Sequence, residues 1–170
     1  SPGDNPARAV ATNESLDIDG PAGRLEAILM HPEREPVAAG VVCHAHPLHG
    51  GMMHFKVVFR AAKALQENGV AALRFNFRGV GGSQGKHDGG RGEQDDVRAA
   101  LDAVERRFPG LPLLLGGFSF GSAMALHVAA REARTRAVFA LGLPVSHMSD
   151  VSVLQRVKAP RLFVQGEKDE

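Results

Sequence analysis

Leu113-Leu114-Leu115-Gly116-Gly117-Phe118-Ser119-Phe120-Gly121-Ser122-Ala123-Met124-Ala125-Leu126 decides how the rest of the chain is read. An apolar run of strand length leads into Gly-Phe-Ser-Phe-Gly, and a small-residue stretch with helical patterning follows. Gly-x-Ser-x-Gly alone is common. Set between a strand and a helix, it reads as a nucleophile elbow, a tight turn that holds one serine in a strained conformation at the edge of a sheet. Gly117 and Gly121 are small because such a turn brings the strand and helix backbones together. The helix then places its positive end behind Ser119.

On either side of this turn, short apolar runs alternate with stretches of helical period. Leu16 to Asp19 and Arg24 to Met30 read as an antiparallel hairpin across Gly20-Pro21, and Val37 to Cys43 as a continuous apolar strand. Phe55, Val58, Phe59, Ala62 and Leu65 mark a helix that Asn68-Gly69 stops. Val70 to Phe77 is the next strand. After a glycine-rich loop, Val97, Ala100, Leu101, Val104 and Phe108 line a second helix, whose acidic first turn (Glu93, Asp95, Asp96) suits the helix dipole. Leu111 to Gly116, Ala137 to Leu143 and Arg161 to Gln165 complete the strands. Strands apolar throughout and separated by helices predict a mostly parallel, doubly wound sheet in a three-layer α/β sandwich, with right-handed crossovers.

The chain has 170 residues, enough for one domain with a substantial core. Residues 1–15 are polar and rich in Pro, Gly and Asn, and read as a flexible tail; residues 16–170 read as one domain. A net charge of +1 gives no electrostatic case for nucleic acid or an acidic membrane as partner, and the lack of Trp and Tyr argues against base stacking. No apolar run reaches the ~18 residues that span a bilayer, and residues 1–15 lack the apolar core of a signal peptide. The single Cys43 suits a reducing compartment, so the expected location is the cytoplasm.

In this order of elements the chain resembles the α/β-hydrolase superfamily, in particular its small lidless serine hydrolases close to the dienelactone-hydrolase group. The resemblance rests on four segments: His44-Ala45-His46-Pro47-Leu48-His49-Gly50-Gly51, Arg74-Phe75-Asn76-Phe77-Arg78-Gly79-Val80-Gly81, Gly117-Phe118-Ser119-Phe120-Gly121-Ser122, and Gly166-Glu167-Lys168-Asp169. It covers the chain from about Leu16 to its last residue and implies a hydrolase of carboxylic esters or related acyl compounds. No metal or organic cofactor is implied, and the partner is a small-molecule acyl substrate.

Ser119 is the candidate nucleophile, to be activated by a histidine that a carboxylate orients. The resemblance implies Asp169 as that carboxylate, in a short turn after the Arg161 to Gln165 strand, although Glu167 and Glu170 stand beside it. The family's histidine follows one more helix and strand. The chain stops at Glu170, so it reads as truncated before them. His147, after the Ala137 to Leu143 strand, is the alternative base, and His127 reads as a packed or surface residue. The oxyanion hole needs two amide donors, expected from Phe120 and from the loop His44 to Gly51, where His46 comes first and Leu48 second. Arg78 reads as pairing with a carboxylate or meeting an anionic group of the substrate.

Two other functions compete. His44-x-His46-x-x-His49 has the spacing of a metallohydrolase motif, but Leu48 stands where that motif places an aspartate. A hydrolase fold without catalysis, acting as a binding module, is the other. A nucleotide-binding loop is excluded because Val80, Gln84 and His87 occupy positions where phosphate-binding motifs need glycine or a hydroxyl.

Overall fold

The computed structural model describes residues 10–142 and, as backbone, the strand at 161–164. Among the described residues, seven strands form one sheet: β1 (Thr12–Gly20), β2 (Gly23–His31), β3 (Ala38–Cys43), β4 (Val70–Phe75), β5 (Leu113–Phe118), β6 (Thr135–Leu141) and β7 (Arg161–Val164). Their spatial order is β1-β2-β4-β3-β5-β6-β7. β1 and β2 form an antiparallel hairpin and β2 also runs antiparallel to β4, whereas β4, β3, β5, β6 and β7 are mutually parallel.

Among the described residues, three helices cover the sheet: α1 (Lys56–Glu67), α2 (Arg91–Arg107) and α3 (Phe120–Arg131). Strand alternation sends Val42 and Ala72 to one face, where they meet Val58 and Ala62 of α1. Ala39, Val41, Leu73, Phe75 and Leu115 point to the other, against Val97, Leu101 and Val104 of α2 and Leu126 of α3. The sheet is therefore doubly wound and buried on both sides, which explains why β3 and β4 carry no exposed residue.

β1 begins at Thr12 and so takes in the last residues of the stretch read as a tail. These polar residues join the sheet because partners wait for them. Gln66 on α1 donates to the Asn13 side chain at 3.2 Å, and Glu14 meets His31 at 2.8 Å. β1 lies at the sheet's edge, where polar side chains are tolerated. Arg74 is the second departure from pattern, a charge inside an otherwise apolar strand. Its guanidinium donates to the Met53 carbonyl at 2.7 Å and lies 5.2 Å from the centre of the Phe59 ring.

Candidate active site

Ser119 joins β5 directly to α3 with φ 53° and ψ −118°, and it is the one non-glycine residue with positive φ among the described residues. Its amide donates to the Leu141 carbonyl of β6 at 2.8 Å. Its own carbonyl accepts from the Ser122 amide at 2.9 Å and from the Ser122 hydroxyl at 2.5 Å. These bonds hold a conformation that costs on the order of 1–3 kcal/mol. The flanking glycines follow from the close approach of β3. A Cβ on Gly121 would stand 2.3 Å from the Cys43 carbonyl oxygen, and one on Gly117 would stand 2.7 Å from the same atom. The sharp turn leaves Ser119 half-buried, at the end where the parallel strands terminate.

The loop after β3 is organised around two histidines. His44 is fully buried, donates from Nδ1 to the Ala45 carbonyl at 2.7 Å, and accepts the Phe77 amide at Nε2 at 3.0 Å. Its ring also packs edge-on against Phe77. Both nitrogens are used, so His44 is not available as a metal ligand, and the spacing His44, His46, His49 does not translate into a metal centre. Among the described residues, no group of three or more His, Cys, Asp or Glu side chains is arranged to hold a metal ion.

Burial drives the His44 pKa down to about 4. Below the ordinary histidine value near 6.5 the unfolded chain takes up a proton that the native state refuses. Stability should therefore fall as pH drops from about 6.5 to about 4, by roughly 3 kcal/mol in all from this residue. Urea unfolding at a series of pH values checks this, and His44→Asn should flatten the slope in that window.

His46 forms the hub of the next turn. Its carbonyl accepts the amides of His49 and Gly51, each at 3.0 Å, and its ring Nδ1 accepts the Leu48 amide at 3.2 Å. The amide of His46 itself has no acceptor among the described residues. A Cβ on Gly51 would lie 2.0 Å from the Ala45 carbonyl oxygen, so that glycine is required for the loop to close. Asn76, after β4, fastens the far end by accepting the Met53 amide at 2.8 Å.

The loop from β4 to α2 completes the wall. Arg78 spans Asp96, donating from Nη2 at 2.9 Å and from its backbone amide at 3.0 Å, and its guanidinium also reaches the Gly92 carbonyl at 2.8 Å. Of the two roles open to Arg78, the structure fills the carboxylate pairing. Glu93, also fully buried, accepts the Asp88 and Gly90 amides at 2.8 and 2.9 Å. Its Oε2 lies 3.0 Å from Nδ1 of His87, a buried atom without an aligned hydrogen bond. The His87 ring sits 5.1 Å from that of His46 and 6.0 Å from that of Phe120, the residue after Ser119. His46 and Phe120 are themselves 4.8 Å apart, ring centre to ring centre.

The structure thus brings Ser119, Phe120 and His46 into one neighbourhood. Asp169 and His147 lie outside the described residues. His127 is half-buried on α3, about 12 Å along the helix from Ser119 by helical rise. The sequence assigned no site role to His87 or Glu93, because nothing in it marks that carboxylate as buried against the histidine. Cys43 is fully buried, and desolvation pushes its thiol pKa up, so it is no competing nucleophile.

The family model described as serine aminopeptidase, S33, a hydrolase family, matches residues 38–149, the span holding β3, the elbow and β6. The chain belongs to this family of α/β hydrolases. A solved α/β serine hydrolase homologue from Coxiella burnetii is 43% identical, with a TM-score of 0.88 over 94% of this chain and 76% of that one. An α/β serine hydrolase without a lid, from Xanthomonas campestris, is 38% identical, with a TM-score of 0.82 over 91% of this chain and 71% of that one. An uncharacterized protein of Rickettsia prowazekii is 40% identical over 89% of this hydrolase chain, which spans 65% of that relative's length. Among the described residues of this hydrolase, no helix is long and apolar enough to cross a membrane.

Proposed function

We propose that the chain carries the nucleophile and oxyanion-binding part of a serine hydrolase that cleaves carboxylic esters or related acyl compounds. The strained, half-exposed Ser119 carries this reading, because a backbone held at φ 53° by bonds from two elements has no structural purpose that glycine would not serve better. Its Oγ attacks the substrate carbonyl while a histidine takes its proton. The alcohol leaves with that proton, and water then releases the acid from the acyl-enzyme. Asp169 would orient the histidine, which the resemblance sets beyond Glu170.

The tetrahedral oxyanion is held by the amides of Phe120 and His46. Phe120 stands at the first position of α3, where an amide has no partner within the helix. Leu48, the other donor considered, has its amide engaged by the His46 ring, whereas the His46 amide is uncommitted among the described residues. The lone, buried thiol of Cys43 fits a cytoplasmic location.

A fluorophosphonate probe tests the reading on the full-length protein. One adduct, mapped to the peptide containing Ser119 and insensitive to a chelator, is the expected result. A panel of p-nitrophenyl esters, thioesters, lactones and aminoacyl amides should then give the highest kcat/KM on esters, and amide preference would return the assignment to an aminopeptidase. No labelling and no turnover would leave a binding module.

A further inference from the structure

The three imidazoles of His46, His49 and His87 lie at the site, and the hydrolytic mechanism uses none of them. The His46 ring is stacked on His49 with centroids 4.4 Å apart and tilted against His87 at 5.1 Å. Among the described residues it is also the one side chain that bonds to the turn Pro47–His49, through the Leu48 amide. An imidazole nitrogen accepts that bond only while it carries no proton, so the turn is built around neutral His46 with its hydrogen on Nε2.

We infer that the His46 imidazole is a positioning residue of the oxyanion hole: its Nδ1 lone pair locks the turn that presents the His46 backbone amide beside Phe120, and protonation at Nδ1 unlocks it. The inference rests on the oxyanion role proposed above for that amide. The lock involves one atom pair. The Leu48 N–H is donated to Nδ1, and a proton arriving there turns the acceptor into a second donor facing the first. The turn, whose other ties are the His49 and Gly51 amides donated to the His46 carbonyl, then loses its third.

The surroundings favour the neutral form. The charged and titratable groups around the ring, among the described residues, are His49 on its own turn, His87 from the β4–α2 loop and Glu93 from α2; α3 contributes the uncharged Phe120. Burial lowers the His46 pKa first, and the neighbouring His49 and His87 lower it further, while Glu93 works in the opposite direction. The lock therefore holds at neutral pH and fails on the acid side.

Two substitutions separate this role from simple packing. His46→Leu fills the space without an acceptor, whereas asparagine at this place can accept the amide two residues on, as in an Asx turn, and does not titrate. His46→Leu should lower kcat about 30-fold with KM little changed, part of the 10²–10³-fold that a lost oxyanion donor costs. His46→Asn should recover most of that loss and shift the acid limb of the kcat profile to lower pH. A parallel measurement needs no substrate. Nitrogen-15 spectra of the ring should show an unprotonated Nδ1 at neutral pH, and Leu48 amide exchange should quicken in His46→Leu and in wild type on acidification. Equal kcat in the leucine and asparagine variants, or Leu48 exchange indifferent to both changes, overturns the inference. A protein that shows the lock by spectroscopy but neither labels nor turns over overturns the hydrolase reading, and the positioning role falls with it.

Discussion

Ser119→Ala is expected to lower kcat/KM for ester hydrolysis by about 10⁶-fold while leaving the secondary structure unchanged. The alanine removes the atom proposed to form the acyl-enzyme and leaves both proposed amide donors in place, so a slow water reaction on bound substrate should remain. Binding of a product carboxylic acid should change little, because the hydroxyl is used for reaction rather than for recognition. Ser119→Gly supplies the partner measurement. Glycine accepts φ 53° without strain, so this variant should be equally inactive but about 1 kcal/mol more stable than alanine in urea unfolding. The two results together would show that the serine is kept at a cost to stability, as a reacting group is and a helix cap is not. An alanine variant with a tenth or more of the wild-type rate would remove Ser119 from the chemistry.

The architecture was legible in the chain because its strands are buried on both faces. Continuous runs such as Val37 to Cys43 have no amphipathic alternative, and the helical stripes on α1 and α2 separate them cleanly. The elbow was legible for a local reason. Gly117, Ser119 and Gly121 report one turn, and the atoms the two glycines must avoid belong to the turn itself and to the end of the adjacent strand β3 with His44 beyond it. Contacts between loops distant in sequence were not legible. Glu93 and Asp96 looked like a solvated complement to the helix dipole, because their spacing says nothing about the loop that folds over them. The metallohydrolase spacing of His44, His46 and His49 stayed open as an alternative because spacing does not reveal that the first ring turns inward onto Phe77 while the other two stay at the rim. The contact of His87 with His46 joins segments far apart in the chain, and no periodicity marks it.

Asp96→Ala is expected to destabilise the fold by about 3–5 kcal/mol, the cost of leaving one member of a buried ion pair without its partner. The Asp96 side chain is fully buried and that of Arg78 is 10% exposed. The carboxylate accepts from the Arg78 backbone amide as well as from its guanidinium, so its loss orphans two donors. A guanidinium keeps its proton with or without that partner, so deprotonation of Arg78 is no escape. Asp96→Asn keeps an acceptor for the amide while removing the charge, and should cost less than alanine. The double variant Arg78→Met with Asp96→Leu fills the volume without an unpaired charge, and should be more stable than either Arg78→Met or Asp96→Ala. Activity should follow the stability order for a specific reason. The pair anchors the loop from Gly79 to Gly90, which bears His87 and lies against the Phe120 ring, so releasing it disturbs the residue whose amide is proposed to face the oxyanion. Urea midpoints for the four proteins, read beside their kcat values, decide the matter. A cost below about 1 kcal/mol for Asp96→Ala would mean that water reaches Arg78 and that the loop is held by Glu93 and Ser83 instead.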